Sequence, residues 1–219
     1  MSTQLLTQNS KMKKSSINGL KVYNFGIPAF KSESGFKTCP MAGTCEKGCY
    51  AKDGAYNWGT VKKAYEFRLT ATKRDDFVSV MDTLIKKKNI RAKQLVIRIH
   101  DSGDFYSPTY ATKWFSIMDK NPDVKFYAYT KMVKMFKDFQ TEIKLPDNFT
   151  LIYSFGGKQD NLIDSKVDRH ALVFPTVKEI PPHYIDVSTD DMKALTPNHR
   201  IGLAYHGTKN WENTAWERS

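Results

Sequence analysis

The sequence predicts an α/β protein of one domain, built as a partial or distorted β/α (TIM-like) barrel of about six parallel strands. Three observations predict it. Short apolar runs rich in β-branched and aromatic residues alternate with segments of helical periodicity between residues 75 and 155. Such alternation implies right-handed crossovers and a parallel sheet. The run Leu95–Ile99 is nearly all apolar, as a strand covered on both faces should be. Metal-ligating, titratable and small residues follow the ends of these runs, the edge where parallel β/α folds gather their functional groups. An open doubly wound sheet is the rival arrangement.

Residues 1–19 read as a flexible basic arm, because the first acidic residue of the chain is Glu33 and no apolar signal-peptide core precedes it. A single β/α domain then occupies 20–219. Lys21–Phe25 is a short strand, and 31–50 is a Gly-, Ser- and Pro-containing loop that carries every cysteine. A helix spans Val61–Lys73. The next begins at Asp75 or Asp76, whose side chain can cap the free amides of the first turn. Its apolar face is Phe77, Val80, Met81, Leu84 and Ile85. After the Leu95–Ile99 strand, Ser107 and Pro108 supply a cap and a first helical residue, with Ala111, Trp114, Phe115 and Met118 on one side. Val124–Tyr129 is a strand, Lys131–Phe139 a helix and Thr150–Phe155 a strand. Ala171–Phe174 and Ile201–Tyr205 complete the series.

A hydrophobic content of 40% suits a packed core rather than a disordered chain. No stretch approaches the roughly 18 apolar residues of a membrane span, so no membrane partner is expected. The three cysteines are an odd number confined to one loop, whereas a secreted disulfide scaffold spreads an even count. A reducing, cytoplasmic setting is the simpler expectation. The formal net charge of +11 suits phosphate-rich partners. Lys86, Lys87, Lys88, Arg91 and Lys93 form one basic run, and Lys131, Lys134 and Lys137 recur along a helix. Nucleic acid is therefore a candidate partner, with a merely solvated face as the alternative.

The loop reads Cys39-x5-Cys45-x3-Cys49. Soft thiolates select zinc or iron–sulfur clusters. A structural zinc closes with four protein ligands, often from Cys-x2-Cys turns, and this loop has neither. A cubane cluster can be anchored by three cysteines, with one iron left for another ligand or a substrate. The expectation is a [4Fe-4S] cluster on Cys39, Cys45 and Cys49, with zinc as the alternative metal. His206, His100 and Asp101 are candidates for the fourth position, and an open iron is equally consistent. Within His100-Asp101-Ser102-Gly103-Asp104-Phe105, Asp101 or Asp104 can serve as general base and His100 as proton shuttle. A tight turn in which Asp104 bonds the backbone is the bland alternative. Gly156 and Gly157 allow close approach to a cofactor, and Lys131 offers a cation to an anionic group. A simple turn and a solvated lysine are the competing readings. Tyr129, at a strand end, is placed to stack a base.

Several of these runs together resemble a known family. Thr38-Cys39-Pro40, Gly48-Cys49-Tyr50-Ala51, Arg98-Ile99-His100-Asp101-Ser102-Gly103-Asp104-Phe105, Trp114 and Phe126-Tyr127-Ala128-Tyr129-Thr130-Lys131 look like the phage gene product 88 domain family, over residues 20–206. The resemblance implies a bacteriophage protein, and hence the cytoplasm of the host cell. Many members carry further cysteines near the C-terminus; this chain has none there, and His206 stands in that region. More distantly, the layout is similar to radical S-adenosylmethionine enzymes, which hold a cluster by three cysteines after the first strand of a partial barrel. Their Cys-x3-Cys-x2-Cys spacing does not match this loop, so the likeness is architectural. It makes S-adenosylmethionine a candidate cosubstrate. The expected function is a phage-encoded iron–sulfur enzyme performing redox, radical or Lewis-acid chemistry on a small or nucleotide-like substrate. The alternatives are a nucleic-acid-binding protein with a structural or redox-sensing cluster, and a zinc-stabilised binding module.

Overall fold

The computed structural model describes residues 4–205. Seven strands form one sheet: β1 (Leu20–Phe25), β2 (Gln94–Ile99), β3 (Lys125–Thr130), β4 (Phe149–Ser154), β5 (His170–Phe174), β6 (Ile185–Asp186) and β7 (Arg200–Ala204). They lie in the order β1-β2-β3-β4-β5-β7-β6, every pair parallel, and curl into a half-barrel. The partial barrel expected from the alternation is therefore what forms. One strand was missed: β6 has two residues, too few to show any period.

Five helices accompany the sheet: α1 (Ser10–Ser15), α2 (Gly59–Lys73), α3 (Phe77–Asn89), α4 (Pro108–Asp119) and α5 (Val133–Glu142). Strand alternation separates two cores. Leu95, Ile97 and Ile99 of β2, with Phe126 and Ala128 of β3, join the larger cluster, which includes Phe77, Met81, Trp114 and Phe136 from the helices. Trp114 sits at its centre, edge-on to Phe25 at 5.2 Å and to Phe77 at 5.7 Å. Ser107 caps α4 as expected, its hydroxyl accepting from the Tyr110 amide, with Pro108 in the first turn. Asp76 precedes α3 but does not cap it. Its carboxylate is taken by Arg74 at 2.8 and 2.5 Å. A charged fork two residues away outcompetes the helix amides.

The concave face holds the second core, with Met12, Val22, Val96, Tyr127, Ile152 and Ile201. Here the reading of 1–19 as a flexible arm is corrected. Among the described residues of that stretch, Leu5, Leu6 and Met12 are buried. Thr7 bridges antiparallel to Asn24 on β1, and the Asn9 side chain caps α1 by accepting from the Met12 amide at 2.9 Å. A few apolar side chains sufficed to bind a segment whose average composition is basic.

The same face contains a buried ion cluster. Asp191 is fully buried, 2.5 Å from Lys11 Nζ and 2.6 Å from Arg98 Nη1, and accepts from the Tyr127 hydroxyl at 3.0 Å. Burial opposes its ionisation, but Arg98 and Lys11 outweigh burial and hold its pKa below the ordinary carboxylate range. This carboxylate ties α1, β2, β3 and the 3-10 turn Asp191–Leu195 together. No helix among the described residues is long and apolar enough to cross a membrane. Replacing Asp191→Ala leaves Arg98 buried without its partner and is expected to cost about 3–5 kcal/mol of unfolding free energy. Urea denaturation at pH 7 measures it, and a loss under about 1 kcal/mol would contradict the assigned role.

Candidate functional site

The strands deliver their C-terminal ends to one mouth, and the loops leaving them enclose a cavity of about 180 Å³. Its lining includes Cys39, Cys45 and Cys49 from the β1–α2 connection, Arg98, His100, Asp101 and Asp104 from β2 and its loop, and Tyr129 and Lys131 from β3. Three separately predicted features thus meet at one place.

The cysteine loop is held there by backbone hydrogen bonds at both ends. The Asp104 amide donates to the Thr38 carbonyl at 3.0 Å, and the amides of Gly43 and Cys45 both donate to the Gly156 carbonyl at 3.1 Å. Ala42 pairs with Gly157, and the Lys158 amide donates to the Met41 carbonyl at 2.9 Å. A Cβ on Gly43 would fall 2.8 Å from the Gly157 carbonyl carbon, so only glycine permits this approach. The Gly156 and Gly157 amides donate to the two oxygens of Asp160 at 2.7 and 2.8 Å. The paired glycine proposed for a cofactor is therefore occupied in docking the cysteine loop, its amides already spent on Asp160.

Asp104 is a joint between strands. Its Oδ1 accepts from the Thr130 hydroxyl at 2.6 Å and the Phe105 amide at 2.7 Å, and its Oδ2 from the Lys131 amide at 2.9 Å. Burial raises its pKa, opposed by these donors. Asp101 differs. Its Oδ2 accepts from Asn24 at 2.7 Å and Tyr65 at 3.1 Å, its carbonyl accepts from the Tyr50 hydroxyl, and its buried Oδ1 has no partner among the described residues. Burial raises its pKa against the pull of Arg98 and Arg68. His100 adopts a left-handed backbone with φ 64°. Its ring packs on Phe25, Phe105 and Tyr110, with Nε2 at 2.9 Å from the Tyr110 hydroxyl. Burial alone drives its pKa down to about 3, so the imidazole is neutral at pH 7. Lys131 Nζ donates to the Ser154 hydroxyl at 2.8 Å. His206 lies outside the described residues.

Sequence reasoning passed over Arg98 as a site residue. The signal was present, a lone cation in an otherwise apolar buried strand, which must find partners or a ligand. Arg98 spends Nη1 on Asp191, while its buried Nε and the buried Tyr129 hydroxyl have no partner among the described residues. The guanidinium lies over the Tyr129 ring at 5.2 Å, so one face of the ring proposed to stack a base is already covered.

All three cysteines are free thiols. Burial, then the negative charge of Asp104, pushes the Cys39 thiol up to about 12, and burial raises Cys49 as well against the pull of Lys131 and Lys52. No three His, Cys, Asp or Glu side chains among the described residues are gathered as donors to one ion. A single zinc draws each thiolate to about 2.3 Å and so needs its donors in mutual contact. A cluster spreads its thiolates over separate irons; the three thiols here line one cavity, together with Arg98 and Lys131.

These features define a half-barrel α/β protein with a cysteine-lined cavity at its strand mouth. The comparisons agree on kinship. The gene product 88 family model matches residues 3–217, and the chain belongs to that family. It is 29% identical over 212 residues to the Gene 88 protein of Mycobacterium phage L5, and 28% identical over 213 residues to that of Mycobacterium phage D29. Each match covers 85% of this chain and 84% of the relative. No solved structure matches.

Two measurements check the electrostatics. The His100 ring resonances should not titrate between pH 8 and 5 by NMR. Because the unfolded chain binds a proton that the folded one refuses, this histidine should lower stability as pH falls from 6.5 towards 3, by about 1.4 kcal/mol per pH unit. In metal-free protein at pH 8, Cys39 should resist iodoacetamide and react only after unfolding; rapid labelling, read by peptide mass spectrometry, would show that the folded protein does not suppress its thiolate.

Proposed function

We propose that this protein is a phage-encoded iron–sulfur protein in which Cys39, Cys45 and Cys49 hold a [4Fe-4S] cluster at the mouth of the half-barrel, facing a substrate cavity. The supporting observation is that the chain's only three cysteines all line one cavity together with buried polar atoms that have no partner among the described residues. A bound cluster with one iron free of protein would supply an electron or a Lewis acid there.

The chain's own residues set what else such a site does. Arg98 Nε and the Tyr129 hydroxyl orient an acceptor oxygen of a small substrate, since each otherwise stays buried and unsatisfied. Asp101 carries the proton: its raised pKa and free Oδ1 distinguish it from the fully engaged Asp104. Asp104 positions the loops, and neutral His100 packs into the aromatic core of Phe25, Phe105 and Tyr110. Phe30, Val173 and Leu203 line the cavity with apolar surface and exclude water. The raised thiols of Cys39 and Cys49 make loading proton-releasing, hence favoured by rising pH.

Anaerobically reconstituted protein should be brown, with stoichiometric iron and sulfide, and Cys45→Ala should lose the colour and most of the iron. Full iron retention removes Cys45 from the ligand set, and zinc in place of iron and sulfide would favour the zinc-stabilised module. With the cluster loaded, reductive cleavage of S-adenosylmethionine would assign radical chemistry; turnover with the cluster kept oxidised would assign Lewis-acid catalysis.

A further inference from the structure

The N-terminal edge of the sheet, opposite the cysteine cavity, carries a concentration of cations. Lys13, Lys14, Lys21, Lys87, Lys88, Arg91 and Lys93 have no carboxylate partner among the described residues. Other lysines of the basic runs are paired. Lys86 pairs with Asp82, Lys134 with Asp138 and Lys137 with Asp168, each at 2.9 Å, so the lysines of α5 do not form a basic stripe.

These cations gather about the N-terminal ends of β1 and β2, where two turns abut. The Lys93 amide donates to the Gly19 carbonyl at 2.9 Å. The Lys93 stem lies so close to Gly19 that a Cβ there would stand 2.8 Å from it. Leu20 is in register with Gln94, which sets the turn before β1 beside the turn before β2. Lys88 Nζ lies over the Tyr23 ring at 4.8 Å, and Lys21 shares that face of β1 by strand alternation. At the margin, Asp123 meets Gln94 only through its backbone carbonyl.

We propose that this edge is a docking surface for the phosphate backbone of a nucleic-acid duplex. Phosphate neutralisation needs cations free to exchange their counterions, and none of these seven has a carboxylate to give up among the described residues, although Lys88 rests on the Tyr23 ring. Single-strand binding would need exposed rings on which bases stack. Here the nearby ring, Tyr23, is covered by Lys88, and the exposed aromatics Trp58 and Phe67 belong to α2 and its approach. Backbone contact without base readout is what remains. Ile17 and Ile90 are 61% and 83% exposed on the two turns. Two isolated side chains, with Met12 of the adjoining helix turned inward, make too small an apolar face for a bilayer. The proposal is independent of whether the cavity holds a cluster.

The test uses the full chain and a fluorescent 30-base-pair duplex of arbitrary sequence, followed by anisotropy from 50 to 200 mM salt. Log affinity should fall against log salt with a slope of about −4 to −6. The quadruple variant Lys87→Gln, Lys88→Gln, Arg91→Gln, Lys93→Gln should lower the slope by about 3–4 and the affinity by about 100-fold. Lys134→Gln with Lys137→Gln on α5 should change affinity by less than about threefold. If the quadruple variant does not fold, Arg91→Gln with Lys93→Gln should still lower the slope by about 2. The proposal is overturned by an unchanged slope in these variants, by tighter binding to single strands, or by binding to phosphatidylserine vesicles and not to the duplex.

Discussion

The mouth of this half-barrel depends on one buried carboxylate. Asp104 accepts from the Thr130 hydroxyl and from the Phe105 and Lys131 amides, while its own amide holds the Thr38 carbonyl next to Cys39. Three segments that leave different strands are thereby fixed relative to one another. A half-barrel needs such a joint more than a closed barrel does, because its sheet has two free edges and nothing forces the loops around a common axis. The cost of burying the carboxylate is offset by donors on both oxygens, the arrangement in which a buried polar group is tolerated. Gly156 performs the matching task from β4 through a single carbonyl shared by Gly43 and Cys45.

Burial also sets the charge state of the cavity. The same dry surroundings that push Cys39 up to about 12 hold His100 down at about 3 and raise Asp101. Each shift favours the neutral form, while Arg98, Lys131 and Glu46 also line the pocket.

The two ends of the sheet have opposite characters. At the strand C-termini, side chains are buried and mutually bonded. At the N-termini stand cations without a carboxylate partner among the described residues, and the buried Asp191 binds α1 through Lys11 and β2 through Arg98.

The fold was largely legible in the sequence because its signals are local. The apolar run of β2, the 3.6-residue pattern of α3 and the Ser107–Pro108 start of α4 report burial that each segment needs wherever it packs. The concentration of Cys39, Cys45 and Cys49 was equally legible, and so was the placing of their loop beside residues 100–105, since parallel crossovers put both at one edge. What the sequence did not determine was which polar atoms are already spent. Gly156 and Gly157 read as an open cradle, yet Asp160 takes their amides; Asp104 read as a candidate base, yet three donors occupy it; residues 4–19 read as an arm, yet Met12 is core. Arg98 was passed over and proves central. Hydrogen bonding and burial depend on neighbours far away in the chain, and only the tertiary structure brings those neighbours into contact.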